Sequence, residues 1–229
     1  MEKLETLKRI LARTEAVIFD FDNIIVDSEP YHYAAYAAVF RRRGHEIDRE
    51  EYWLEWTSRG GGAEGEIGRY RLELNPAEIR REKDPIYAEY CRNGTVRPFP
   101  RALEIIGALK KAGYTLAIAS GSYERDIRAI LSAHGIEDDF DAIVGKDRIT
   151  QIKPHPETYL NAARRIDAPP GRCLAIEDAE KGIRSARDAG MSVIVIETAI
   201  TRGLPLDGAD LRLSDLDEFA ALLREALHV

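Results

Sequence analysis

What this chain lacks narrows the field first. Its 229 residues include 2 cysteines, Cys91 and Cys173, and neither sits in a Cys-x-x-Cys or Cys/His cluster. That argues against a disulfide framework and a structural zinc, and for a reducing, cytoplasmic setting. No stretch approaches the run of about 18 largely apolar residues that a membrane span requires. The opening segment, MEKLETLKRILARTEAVIF, mixes charged and apolar residues and has neither the apolar core nor the small-residue cleavage site of a signal peptide. Positive charge is in deficit, 33 Lys+Arg against 40 Asp+Glu for a net charge of -7. A broad nucleic-acid or anionic-membrane surface is therefore disfavoured. The short basic run Arg41-Arg42-Arg43 reads as a solvated helix end. There is no internal repeat or low-complexity tract. We expect a monomer in solution that acts on a small molecule, with no nucleic-acid or membrane partner.

With 45% hydrophobic and 32% charged residues, the composition is that of a globular chain. At this length, folding buries roughly 70–75% of the unfolded surface, enough for one large domain or a domain with an insert. Five short apolar runs, 16–19, 114–119, 142–144, 173–176 and 193–196, read as strands. The later ones lack clean alternation, as expected of strands covered on both faces. Between them lie helix signals. Pro100 opens 101–111, with Gly113 beyond it; Ser122 precedes 123–134 as its expected cap, and Gly135 follows. Pro156 opens a helix to about 165, and 179–189 ends at Gly190. Ser214-x-x-Asp217 is the expected cap of a terminal helix that buries Leu216, Phe219, Leu222 and Leu223. The alternation predicts an α/β fold, a doubly wound and mostly parallel sheet whose strand C-termini share one edge.

Residues 29–98 break that rhythm. Asp48-x-x-Glu51 and Asn75-Pro76-Ala77-Glu78 are helix starts, and no strand-like run intervenes. We expect a helical cap domain over 29–98, inserted in a core formed by 14–28 and 99–229, with 1–13 as an N-terminal helical extension.

Polar residues with chemical potential stand where the strands end. Asp20 and Asp22 follow the first run two positions apart, so both carboxylates could address one pocket. Neighbouring acids raise each other's proton affinity unless a cation intervenes, so the pair suits a divalent metal, or a nucleophile beside an acid/base. Alone it equally describes a solvated turn. Ser120, in Ala119-Ser120-Gly121-Ser122, could offer its hydroxyl and nearby N–H groups to an anionic oxygen, or could simply lie near a helix cap. Lys153 lies in Lys153-Pro154-His155-Pro156, where the prolines stiffen the loop, although an isolated lysine is more often a surface one. Glu177-Asp178 follows the fourth run as Asp20 follows the first, and with Asp20 could supply oxygen ligands to Mg²⁺.

Taken together, Asp20-Phe21-Asp22-Asn23-Ile24, Ser120, Lys153-Pro154 and Ile176-Glu177-Asp178 with Gly182-Ile183 resemble the haloacid dehalogenase superfamily, over roughly 14–200. The similarity lies in its helical-cap branch, with β-phosphoglucomutase-like and phosphoglycolate-phosphatase-like proteins. This resemblance implies that Asp20 attacks a phosphoryl group and that Asp22 serves as acid and base. Asp20, the backbone carbonyl of Asp22, and Asp178 would hold Mg²⁺, with Glu177 as a ligand or just behind them. Ser120, Gly121 and Lys153 would bind the transferring phosphoryl oxygens. Dehalogenating and phosphonate-cleaving relatives depart at the Asp22 position, so its retention points to phosphate esters.

In the insert, Asp27-Ser28-Glu29-Pro30-x-His32 resembles the first hinge and cap helix of β-phosphoglucomutase-like proteins and of sugar-phosphate or phosphoglycolate phosphatases, and His32 would face the pocket mouth as in sugar-phosphate mutases. Thr57-Ser58-Arg59 resembles the mutase segment whose arginine binds the second, non-transferring phosphate, and Lys83 resembles another cap lysine, which makes His32, Arg59 and Lys83 candidate substrate-binding residues. The chain departs from the pattern in places. Asn23 replaces the usual glycine but tolerates the same left-handed backbone. Ile24 replaces Thr or Val; Glu55 stands at a lysine position; Trp56 adds bulk that would shorten a pocket. Gly60-Gly61-Gly62 and Gly65 suit a pliant loop or a structural bend. Tyr52 and Trp53 are expected in cap packing. The expected function is a Mg²⁺-dependent phosphatase of a small phosphorylated metabolite, with a sugar-phosphate mutase or a non-catalytic phosphometabolite-binding protein as alternatives.

Overall fold

The computed structural model describes residues 2–58, 61–199 and 201–228. In chain order the elements are α1 (Glu2–Leu11), β1 (Ala16–Phe19), α2 (Glu29–Arg42), α3 (Arg49–Glu51), a π-helical stretch (Tyr52–Ser58), α4 (Gly62–Arg69), α5 (Pro76–Arg92), α6 (Pro100–Lys111), β2 (Thr115–Ala119), α7 (Glu124–Ala133), β3 (Ala142–Val144), α8 (Glu157–Arg165), β4 (Cys173–Glu177), α9 (Glu180–Asp188), β5 (Ser192–Ile196), β6 (Leu211–Leu213) and α10 (Leu216–Leu227). Three short 3-10 turns occupy Glu137–Asp139, Lys146–Arg148 and Pro170–Arg172.

The six strands form one sheet in the order β3-β2-β1-β4-β5-β6, with every pairing parallel. β1 therefore sits centrally, and the order reverses beside it, where parallel α/β sheets open a crevice at their C-terminal edge. The two sheet faces differ in side-chain size. Ala16, Ala117, Ala119, Ala142 and Ala175 share one face with Ala162 and Ala163 of α8 and Ala186 of α9. Small side chains on both partners let α8 and α9 lie close to the strands. Alternation sends Phe19, Leu116, Ile118, Leu174 and Ile194 to the other face, where α6 packs on β2 and α10 packs on α6 and α1.

The chain divides into two compact units, one of residues up to Asp27 and from Arg97 onward, the other Ser28–Val96. Among its described residues, the second has helices joined by turns and no strand. Its core of Val39, Phe40, Ile47, Tyr52, Trp56, Ala63 and Ile79 is joined by Tyr33, Tyr36 and Trp53. Asp48 caps α3 by accepting the Glu50 and Glu51 N–H groups, and Asn75 caps α5 by accepting that of Ala77.

Two local expectations are corrected. The cap of α10 is Asp215, whose carboxylate accepts the Glu218 N–H at 2.8 Å. Ser214 lies one residue earlier and donates its N–H to the Glu218 side chain at 2.7 Å. The reciprocal cap thus exists, shifted by one residue. β6 was not anticipated, because Leu211-Arg212-Leu213 is three residues long with an exposed arginine in its middle.

Candidate active site

Three strands and the loop before α8 deliver polar groups to one edge. Asp20 follows β1 and donates its N–H to the Ile176 carbonyl at 2.8 Å, while Ser120 follows β2 and donates its own to Val144 at 2.9 Å. The register places Phe19 level with both Ile118 and Ile176. Asp20 therefore lies beside Glu177, the last residue of β4, and Asp178, the next. All of these side chains are buried.

Lys153 enters from the loop before α8, after which the Lys153–Pro154 peptide is cis. Its Nζ donates to Asp20 Oδ1 at 2.7 Å and to Glu177 Oε1 at 2.6 Å. It also stands 4.7 Å from the centre of the Tyr159 ring. The Tyr159 hydroxyl donates to the same Glu177 oxygen at 2.8 Å, and the Asp178 N–H reaches Glu177 Oε2 at 3.2 Å. The space for that carboxylate exists because residue 182 is glycine: a Cβ there would lie 1.9 Å from Glu177 Oε1. Sequence reasoning missed Tyr159, whose helical spacing with Ala162 and Ala163 reads as plain core.

Asp22 occupies a different setting. Asn23 beyond it adopts φ 62°, the left-handed conformation its glycine-like role requires, and bonds its N–H to the Val26 carbonyl at 2.9 Å. Ile24 and Ile25 are buried behind the turn. The Asp22 carboxylate accepts the Ser122 hydroxyl at 2.7 Å, and Ser120 Oγ lies 3.4 Å from the same oxygen. This corrects the role expected of Ser122: the residue before α7 is Tyr123, with no side-chain cap, and the Glu124 N–H is taken by Asp147 at 2.8 Å. The signal was present, since Ser120-x-Ser122 repeats the spacing of Asp20-x-Asp22. Gly121, between the serines, is exposed and open around its Cα.

The charge balance at this edge is lopsided. Burial raises the Asp20 carboxyl, Lys153 opposes, and Glu177 and Asp22 push further, leaving it raised to about 7. Burial, then Asp20 and Glu177, likewise raise Asp178. For Lys153 burial alone would favour the neutral amine, but Asp20 and Glu177 outweigh it and raise its pKa. One lysine thus faces an excess of carboxylates, the arrangement a divalent cation relieves. Ligand oxygens of Asp20, Glu177 and Asp178 lie within 4.8 Å of one another. Hard carboxylate oxygens without Cys or His fit Mg²⁺.

The helical unit groups other candidates. The His32 ring stacks on Tyr87 with centroids 3.9 Å apart. Lys83, buried, holds its ammonium 4.3 Å from the Tyr87 ring and 5.3 Å from that of Tyr36. The tyrosines that assemble this α2–α5 cluster were not singled out in the sequence. Arg59 lies outside the described residues. Trp56 does not add bulk to a pocket as expected: it is buried in the helical core, donating its indole N–H to Glu66 at 3.1 Å.

A sheet edge carrying Asp20, Asp22, Ser120, Lys153 and Asp178 defines a class, and comparison with known proteins agrees. The family model for haloacid dehalogenase-like hydrolases matches residues 14–190, and the chain belongs to that family. It is 31% identical over 225 residues to beta-phosphoglucomutase of Bacillus subtilis, covering 93% of this chain and 94% of that protein. It is 30% identical over 189 residues to the fructose-1-phosphate phosphatase YqaB of Escherichia coli, covering 80% and 96%. Among solved structures, a CbbY mutant from Rhodobacter sphaeroides in complex with xylulose-(1,5)bisphosphate superposes with a TM-score of 0.77 at 30% identity, covering 90% and 96%. The chain is an enzyme, a hydrolase whose phosphatase relatives place it with the phosphomonoesterases. Among the described residues, no helix is long and apolar enough to cross a membrane.

Proposed function

We propose that this enzyme is a Mg²⁺-dependent phosphatase of small phosphate monoesters, with sugar phosphates as its substrate class, working through a phosphoryl group carried on Asp20. The supporting observation is that Asp20 and Asp22, two residues apart, have unlike surroundings: one lies against Lys153 and the acidic group, the other against two serine hydroxyls. A pair of carboxylates set apart by environment is how one site divides nucleophile from acid/base.

Asp20 attacks phosphorus while the ester P–O bond breaks, and Asp22 gives its proton to the departing sugar oxygen. Water then attacks the phosphoryl-Asp20, its proton passes to Asp22, and the bond to Asp20 breaks, releasing inorganic phosphate and restoring both carboxyls. Lys153 and Ser120 bind the transferring oxygens, and Lys153 screens the approaching nucleophile from the phosphate charge. Asp20, Asp178 and the Asp22 carbonyl, with Glu177 beside them, would hold Mg²⁺, which when bound would supply charge neutralisation where negative charge gathers. In the helical unit, His32, Arg59 and Lys83 are the residues we assign to recognition of the sugar phosphate. The relatives named above, each called after a phosphorylated sugar or bound to one, support that substrate class.

The mutase relative favours one alternative, transfer of the phosphoryl group to a second sugar hydroxyl instead of water. Phosphorus NMR with Mg²⁺ separates the two, using a panel of sugar phosphates, phosphoglycolate and nucleotides, with and without a trace of sugar bisphosphate. Growth of inorganic phosphate, abolished by Asp20→Asn, is the expected result. Growth of a positional isomer without phosphate release would replace hydrolysis by mutation, and silence across the panel would overturn the proposal.

A further inference from the structure

We propose that Ser122 is a positioning residue for Asp22: its hydroxyl, on a loop braced from the end of β3, fixes the carboxyl from which the leaving oxygen takes its proton. This deepens the function proposed above and rests on it.

Asp22 lies beyond the end of β1, in a turn closed by left-handed Asn23, so sheet pairing does little to set its side chain. Ser122 Oγ donates to Asp22 Oδ2 at 2.7 Å, the length of a charge-assisted O–H···O bond. The serine is itself held on several sides. Its N–H donates to Ser120 Oγ at 2.9 Å, and Ser120 Oγ stands 3.4 Å from the same Asp22 oxygen. Its carbonyl accepts the Lys146 N–H at 2.9 Å. The next turn is pinned where Asp147 accepts the Glu124 N–H at 2.8 Å, which relieves Ser122 of capping α7. Gly145 makes the approach feasible: a Cβ there would lie 2.7 Å from the Ser122 carbonyl and 2.3 Å from the Glu124 nitrogen. A hydroxyl held this firmly, donating to one oxygen of the Asp22 carboxyl, fixes the direction in which that oxygen lies. Misplacing a catalytic group by about 1 Å can cost about 10²-fold in rate.

The leaving group tests the assignment. A sugar alkoxide needs the proton of Asp22, whereas para-nitrophenolate departs without it. Rapid-quench measurement of phosphoryl-Asp20 formation is made with the best sugar phosphate of the panel and with para-nitrophenyl phosphate, using Mg²⁺-loaded wild type, Ser122→Ala and Ser122→Thr. Ser122→Ala is expected to slow phosphorylation by the sugar phosphate about 10- to 100-fold, part of the 10²–10⁴-fold that general acid catalysis supplies. Phosphorylation by para-nitrophenyl phosphate should stay within about 3-fold of wild type on the same basis, and Ser122→Thr should recover most of the sugar-phosphate rate. Equal slowing with both substrates, or no slowing with either, overturns the assignment. Ser122→Cys, which keeps the volume but weakens the donor, serves the same comparison if the alanine variant does not fold. Absence of phosphoryl-Asp20 in the wild type with either substrate would instead sink the phosphatase proposal itself.

Discussion

Two glutamates, Glu177 in the sheet-bearing unit and Glu66 in the helical one, share a local recipe and differ in what surrounds it. Each is almost wholly buried, and each meets a cation and an aromatic donor. Glu177 accepts from Lys153 and the Tyr159 hydroxyl. Glu66 accepts from the Trp56 indole, bonds His45 at 2.7 Å and lies 3.4 Å from Arg69. Around Glu66 the donors suffice, and the result is a fastened helical core. Around Glu177 two more buried carboxylates crowd in, and burial raises the proton affinity of Asp20 and Asp178. Burial of an acid is therefore no mark of function in this protein. An excess of buried acids over cations is what sets the proposed site apart.

Substitutions can break that contrast. The largest effect is expected on the crowded side, where Asp20→Asn should lower turnover by about 10⁴-fold or more, as loss of a nucleophile does. Its urea midpoint should be no lower than wild type, because removing one of several repelling charges relieves the site. A marked loss of stability would show Asp20 to be a structural acid like Glu66.

Gly182→Ala comes next. Its Cβ must displace the Glu177 carboxylate and with it the second anchor of Lys153. We expect turnover to fall by about 10²-fold, the cost of misplacing a catalytic group, with stability reduced by about 1–3 kcal/mol for overpacking. Unchanged kinetics would mean that Glu177 does not position Lys153.

On the satisfied side the sign reverses. Glu66→Gln leaves Arg69 and His45 facing an uncharged partner and should cost about 3 kcal/mol of stability, the scale for breaking a buried pair. Chemical denaturation measures it, and a loss below about 1 kcal/mol would place Glu66 with ordinary surface pairs.

The smallest effect concerns Glu124, where pH reads the pairing. Burial would raise its carboxyl, but hydrogen bonds from Arg148 and Arg128 outweigh that and hold it below the usual glutamate range. A depressed folded-state pKa stabilises above the unfolded value and fades as pH falls through the folded one. Glu124→Gln should therefore cost about 1–2 kcal/mol at neutral pH, and wild type and variant should converge as the medium is acidified below pH ~4. A difference independent of pH would exclude charge as its source.

What the sequence made legible follows the same division. Asp20, Ser120 and Asp178 could be located because strand ends are marked by short apolar runs, and a parallel sheet gathers those ends on one edge; Lys153 was marked by the prolines of its loop. The five strands with uninterrupted apolar runs were visible for that reason, whereas β6 showed only two apolar residues around Arg212. Partners across the fold were harder to see. Ser122 already had a local explanation as a helix cap, and Tyr159 as a core residue, so neither advertised the carboxylate it meets. Nor does any local pattern separate Glu66 from its exposed neighbour Glu64: one helical turn chooses which acid is enclosed. Asn23 was the reverse case, a departure whose consequence, a left-handed turn, followed from the residue's own backbone preference.

The central claim is that the crowded acids at the end of β1 carry a phosphoryl group. It is tested most directly by acid-quenching the enzyme during turnover with Mg²⁺ and a sugar phosphate, then mapping peptides by mass spectrometry. A phosphoryl adduct on Asp20, absent when Mg²⁺ is chelated and absent from Asp20→Asn, is the predicted result. Phosphate release from an enzyme that never carries the adduct, or an adduct that survives in Asp20→Asn, would contradict it.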